Sequence, residues 1–312
     1  MKIGYPCINR TLPCRGNKTF RLKSYSKERF IDTVTNNLRC LQHLLSFNLD
    51  HNILFFRISS DIIPFASHSV LNVDWELFFK DRLQEIGRFI KKNNMRISMH
   101  PDQFIVLNSK RKEVVQRSIQ ELVYHASFLD SLGLDASSKI QLHVGGVYGE
   151  KEKSMNRFVK NFDLLPLPVK KRLVIENDDR SYTAKDCLQI SKQIHIPVLF
   201  DVLHHQINNF DEPIQKIFRF IAETWQTNDG IPMVDYSSQE QNEKIGKHAT
   251  HINQKDFICF LQSINSIDFD IMLEIKDKEK SALEAISLAK SDPRFIFKYK
   301  KKDNERILEE IS

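Results

Sequence analysis

No stretch of about 20 apolar residues interrupts the 312-residue chain, so no membrane-spanning helix is expected. The amino terminus lacks the charged region, apolar segment and cleavage site of a secretion signal, and a cytoplasmic protein is the expectation. Cysteine is scarce. The five residues Cys7, Cys14, Cys40, Cys187 and Cys259 form no C-x-x-C pair and are too few for a disulfide framework, which predicts inert thiols in a reducing compartment. Nine glycines and ten prolines leave no room for a low-complexity linker. Neither sign of charge dominates: 46 Lys and Arg face 40 Asp and Glu, and the net +6 suits an anionic partner without identifying one.

What is present is a regular alternation. A 41% hydrophobic content can fill a core. Eight β-rich runs recur, at Lys2–Pro6, Ile53–Ser59, Arg96–His100, Lys139–Gly145, Arg172–Asn177, Pro197–Val202, Pro232–Ser237 and Phe269–Lys276. Most are continuously apolar, as strands covered on both faces are. Segments with helical spacing lie between them, including Lys27–Leu45, Trp75–Lys92, Glu113–Leu132, Ala184–Gln193, Pro213–Thr227 and Lys278–Ala289. Eight strand–helix units without a composition shift predict a single-domain α/β fold, a (β/α)8 TIM barrel spanning residues 1–312 with its core at about 2–290. The charged tail, 298–312, reads as a solvated end.

In such a barrel the chemistry sits where the strands finish. Here the third run ends in His100 and the fourth reaches His143, the fifth Glu176 and the sixth Asp201, with His204 three residues on. The seventh carries Asp235, His248 follows in the loop after it, and the eighth reaches Glu274. A lone His or Glu after a strand is usually a loop residue, but carboxylates gathered around one mouth repel each other unless a cation neutralises them. Imidazole and carboxylate without thiolate suit Zn²⁺ or Mn²⁺, with Mn²⁺ favoured as oxygen ligands accumulate and Mg²⁺ a further option. Eight ligands predict two or three divalent ions, with Glu176, and Asp201 or Glu274, bridging. Clusters of this type hydrolyse phosphodiesters.

The motifs Gly-Tyr-Pro-Cys-Ile-Asn (4–9), His-Pro-Asp-Gln-Phe (100–104), Leu-His-Val-Gly-Gly (142–146), Glu-Asn-Asp-Asp (176–179), Phe-Asp-Val-Leu-His-His (200–205) and Lys-His-Ala (247–249) together resemble the UV damage endonuclease family. The resemblance implies a barrel similar to endonuclease IV and a three-metal site, usually with manganese. The implied reaction is incision immediately 5′ to a lesion in duplex DNA, leaving 3′-hydroxyl and 5′-phosphate ends. By position His100, His143 and Glu176 would hold one ion, Glu176, Asp201, Asp235 and Glu274 a second, and His204 and His248 would help hold a third; His68 is a weaker candidate. Catalysis would fall to Glu176, Glu274 and a metal-bound water. The resemblance also implies that Gln103 and Phe104 wedge into the base stack and that Tyr5 and Asn9 lie near the flipped lesion. Apart from the resemblance, Phe104, one of 22 phenylalanines, reads as core, and so does Tyr5. In one respect the chain departs from its relatives. Many carry Lys-x-His in the seventh strand, the lysine being carboxylated; this chain has Met233 and Asp235.

Phosphate contacts are expected from basic residues in the mouth loops: Arg10, Arg15, Lys18, Lys110, Arg111, Lys151, Lys153 and Arg180. Damaged double-stranded DNA is the expected partner, with no obligate protein partner and a monomeric protein. The alternatives are a metal-dependent sugar isomerase or epimerase on the same barrel, and a lesion-binding protein that does not cut.

Overall fold

Each of the eight apolar runs forms one short parallel strand: β1 (Ile3–Pro6), β2 (Phe55–Ile58), β3 (Arg96–Met99), β4 (Lys139–His143), β5 (Leu173–Glu176), β6 (Val198–Asp201), β7 (Met233–Tyr236) and β8 (Asp270–Leu273). Neighbours in sequence are neighbours in the sheet, and β8 pairs with β1 to close the barrel. The chain therefore folds as a single-domain TIM barrel. The computed structural model describes residues 1–209, 213–264 and 266–296; the charged tail lies outside them.

The helices on the outside are α1 (Lys27–Asp50), α2 (Trp75–Phe78), α3 (Lys80–Lys92), α4 (Lys112–Ser131), α5 (Lys151–Phe162), α6 (Leu167–Arg172), α7 (Ala184–Ile194), α8 (Val202–Ile207), α9 (Ile214–Ala222), α10 (Gln254–Ser263) and α11 (Glu279–Ala289). In α1 the side chains of Phe30, Val34, Leu38, Leu41 and Leu45 are buried at helical spacing, and Ser26 caps its start by accepting from the Arg29 amide at 3.2 Å. The expected helix from Trp75 to Lys92 divides at Phe79 into α2 and α3.

Strand alternation sorts the inner face of the barrel into layers. At the closed end Arg96 bonds Asp270 at 2.9 Å and Lys139 pairs with Asp229. Above them Phe55, Val174, Leu199, Met233 and Met272 pack together with Trp225 as an apolar plug. One step further along the same strands come Arg57, Gln141, Glu176, Asp201 and Asp235, all buried. The plug thus separates two polar layers, and the upper one opens at the mouth. Met233 belongs to the plug, where an apolar residue fits.

The expectation of five inert thiols is corrected here: Cys14, in the loop after β1, is bonded to Cys40 on α1. A separation of 26 residues carries no local signal, and the two Cα atoms reach 5.8 Å only because that loop folds back over the helix. Cys7, Cys187 and Cys259 remain free.

Gly4 shows how closely the strands approach. A Cβ at this position would lie 1.9 Å from the carbonyl oxygen of Phe55 on β2. Gly4→Ala is therefore expected to lose about 3 kcal/mol or more of stability by forcing β1 and β2 apart, read as a lower urea midpoint. An unchanged midpoint would contradict this packing.

Candidate metal centre

The residues expected at the strand ends converge. Three groups each bring a ligand atom from every member within 4.8 Å of the others: His100, His143 and Glu176; Glu176, Asp201 and His204; and Asp201, Asp235 and Glu274. Glu176 and Asp201 each belong to two groups, so the set reads as a chain of sites with shared carboxylates. His248 stands beside it, its ring 5.9 Å from that of His204 and its Nδ1 3.7 Å from Glu274 Oε2.

Backbone carbonyls orient the imidazoles. His100 Nδ1 donates to Pro101 O at 2.6 Å, His204 Nδ1 to Asn177 O at 3.1 Å and His248 Nδ1 to Glu274 O at 2.8 Å. That fixes the tautomer of these three rings; Nε2 of His100 and His143 lie 3.6 and 3.9 Å from Glu176, while His204 turns Nδ1 toward Asp201 and Glu176 at 3.4 and 3.6 Å. Asp201 caps α8 by accepting from the His204 amide at 2.8 Å, which sets the position of that histidine. Asn177 in turn holds β5 to β6 through two bonds with the Asp201 backbone, at 2.9 and 3.0 Å.

Two residues escaped the sequence reading. Arg57, buried in β2, places Nη2 2.6 Å from Asp235 and Nη1 against Glu274, while Nη2 also donates to Gln141 Oε1 at 2.7 Å. Gln141 completes the mesh, its Nε2 donating to Glu176 and to Asp235 at 2.7 Å each. The available signals were an Arg inside an apolar strand and a Gln two residues before His143, on the same face.

The electrostatics follow from crowding. Burial pushes Asp201 up, His204 opposes this, and Glu176 and Glu274 add to it. Asp235 is raised to about 7, chiefly by burial and against the pull of Arg57, with Glu274 and Glu176 contributing. For His204 burial disfavours the charged ring, but Asp201, Glu176 and Glu274 outweigh it and raise its pKa to about 9. His100 is raised in the same way: burial opposes, and its bond to Glu176 prevails. Glu274 is held low because Arg57 and His248 outweigh burial.

The donor set fits divalent ions: carboxylates that stay ionised or part-protonated only at a cost, with histidines gathered against them. Among the described residues His68 joins none of these groups. It is exposed, and its Nδ1 accepts from the Val70 amide at 3.0 Å.

The expected lesion contacts divide. Gln103 and Phe104 sit in an exposed turn beside His100, with Phe104 73% exposed, against the expectation from sequence alone that this phenylalanine is core. Tyr5 is corrected in the other direction. In β1 the inward positions are Gly4 and Pro6, so Tyr5 points outward, fully buried, and donates to Asn48 Oδ1 on α1 at 2.7 Å. Asn9 is buried too: its Nδ2 donates to the Tyr5 hydroxyl, and its Oδ1 accepts from the amides of Thr11 and Leu12. In this structure the pair supports the first mouth loop and offers no face to a base.

Among the basic residues Arg10, Arg15, Lys18, Lys110, Arg111 and Arg180 are exposed. Lys151 and Lys153 lie on α5 and not in a loop, and Lys151 is committed to Asp186 at 2.8 Å. The mouth itself is an open groove of about 780 Å³ bordered by Arg57, His100, Phe104, His248, Glu274 and Lys278. A cavity of about 840 Å³ between α7 and α9 lies on the outer surface and gathers no ligand set.

The TIM-barrel fold is shared with proteins of low sequence identity. Endonuclease IV from Thermus thermophilus superposes with a TM-score of 0.52 at 14% identity, over 77% of this chain and 89% of that one. A D-tagatose 3-epimerase-like protein superposes at 0.55, also at 14%, over the whole of both chains. The chain belongs to the UV damage endonuclease family: the family model described as UV-endonuclease UvdE matches residues 1–295. It is 43% identical over 294 residues to the UV DNA damage endonuclease of Clostridium perfringens, covering 93% of this chain and 71% of that protein. The corresponding protein of Bacillus thuringiensis subsp. konkukian is 35% identical over 297 residues, 92% and 93% of the two. The crystal structure of SacUVDE matches with a TM-score of 0.89 at 50% identity, over 93% and 98%.

Two outcomes follow from the electrostatics. A divalent ion must displace the protons held by His204 and the part-protonated Asp235, so affinity should rise as pH goes from about 6 to about 9, with protons released on binding. Calorimetric titration with Mn²⁺ in buffers of different ionisation enthalpy measures this, and a pH-independent affinity would refute it. In metal-free protein, Arg57→Met should lose about 3–5 kcal/mol at about pH 8, because Asp235 and Glu274 are left without their partner. Ionising a carboxylate of raised pKa opposes folding as pH rises, so the loss should be smaller at about pH 5, where Asp235 is protonated. Urea denaturation at the two pH values reads the difference.

Proposed function

We propose that this protein is a metal-dependent DNA repair endonuclease that recognises ultraviolet photoproducts in duplex DNA and hydrolyses the phosphodiester immediately 5′ to the lesion. The products are a 3′-hydroxyl and a 5′-phosphate, and the substrates include cyclobutane pyrimidine dimers, with 6-4 photoproducts and abasic sites as further ones. The observation that carries the reading is the linked ligand set at an open mouth with the exposed Gln103–Phe104 step beside it. His100, His143 and Glu176 would hold one ion and Glu176, Asp201 and His204 a second. Asp235, Glu274 and His248 offer a third position that Arg57 already balances in part. Manganese suits this oxygen-rich set, with zinc and magnesium as lesser fits. Bound divalent ions supply Lewis acidity and a hydroxide at neutral pH.

The chain's own residues do the rest. Phe104 can fill the gap left by an extruded base while Gln103 bonds the orphaned partner. Arg57 and Gln141 keep the carboxylates in register, and the exposed Arg10, Arg15, Lys18, Lys110, Arg111 and Arg180 can meet phosphates along the duplex. An epimerase of the same fold would close its mouth over a sugar and has no use for a 73% exposed phenylalanine. The protein acts as a monomer in this reading.

Supercoiled plasmid, irradiated or not, incubated with Mn²⁺ or with chelator tests it directly. Metal-dependent nicking confined to irradiated plasmid is expected, and its absence would sink the proposal. Glu176→Ala should lower nicking by at least about a thousandfold. Phe104→Ala should retain metal binding but lose about tenfold in preference for irradiated over plain DNA.

A further inference from the structure

Lys278 stands at the N-cap of α11 with φ 60° and ψ −114°. That is the conformation of the first central residue of a type II′ turn, which favours glycine and strains a lysine. The turn has a structural purpose. It delivers Glu279 into the interior, where its carboxylate accepts from the Arg10 amide at 2.8 Å and from Thr11 Oγ1 at 2.8 Å. Glycine would serve that purpose without strain, so nothing in the fold calls for lysine here.

The side chain goes into the mouth groove beside Cys7, Glu274 and Arg57. It is half-buried, and among the described residues its ammonium makes no hydrogen bond or ion pair. Its one nearby carboxylate, Glu274, is already held by Arg57. A cation with no partner of its own inside the groove is available to an anion that enters it.

We infer that Lys278 binds a phosphate of the DNA strand, at or next to the bond that is cut, in the groove that Phe104 also borders. The inference rests on the endonuclease reading and adds a contact for the substrate backbone. The backbone conformation suits the role, because it fixes the root of a long side chain that would otherwise be disordered in water.

The test compares wild type with Lys278→Gly, Lys278→Gln and Lys278→Arg. Binding to a lesion-containing duplex of about 30 base pairs is followed by fluorescence anisotropy with chelator present, across a salt series. Lys278→Gly removes the ammonium and the strain together, so an equal or higher Tm is expected with affinity lowered by about tenfold and a salt slope shallower by about 0.9. Lys278→Gln keeps the strained backbone and should show the same loss of slope, whereas Lys278→Arg should keep most of the wild-type slope. Wild-type affinity and slope in both neutral variants would overturn the inference alone, provided that wild type binds the duplex and nicks irradiated plasmid. If wild type binds no duplex, both this inference and the endonuclease reading fall.

Discussion

Three buried carboxylates, Glu176, Asp201 and Asp235, with the part-exposed Glu274 beside them, set the terms for everything around them. They cannot all ionise in that space without positive charge, and the chain supplies Arg57 and the charged His204. This interaction explains why a guanidinium sits inside a strand that otherwise reads as apolar. It also explains why Asp235 stays part-protonated at neutral pH while Glu274 is held ionised. The remaining deficit is what makes the site receptive to cations. The apolar plug beneath, with Met233 at its centre, keeps the deficit at the mouth and away from the ion pairs at the closed end.

The mouth combines two physically different surfaces. The inner one is rigid, buried and meshed by Gln141 and Arg57; the outer one is an exposed turn with Phe104 at its tip and basic residues around it. Rigid ligands favour precise chemistry, whereas an exposed wedge serves recognition by deformation of a flexible partner. Their adjacency is built into the chain, since His100 and the Gln103–Phe104 step are separated only by Pro101 and Asp102.

Much of the architecture was legible because parallel strands buried on both faces leave uninterrupted apolar runs, and the ends of all eight fall within three residues of those expected. The ligands were legible for a related reason: a titratable residue that ends such a run stands out. What stayed hidden depended on which way a side chain points or on pairs distant in sequence. Tyr5 lies one position from the inward face, and that single step decides between lesion contact and core. The Cys14–Cys40 bond depends on a loop folding back, which no periodicity records. Lys151, expected as a loop cation, instead opens α5 and pairs with Asp186.

Three of the four histidines of the centre, His100, His204 and His248, are aimed by main-chain carbonyls at Pro101, Asn177 and Glu274. A carbonyl belongs to every residue type, so the aim of these rings is inherited from the path of the chain and tolerates exchange of most residues beside them. Drift in the surrounding sequence can then proceed without detuning the centre, and what selection has to guard is the course of three loops.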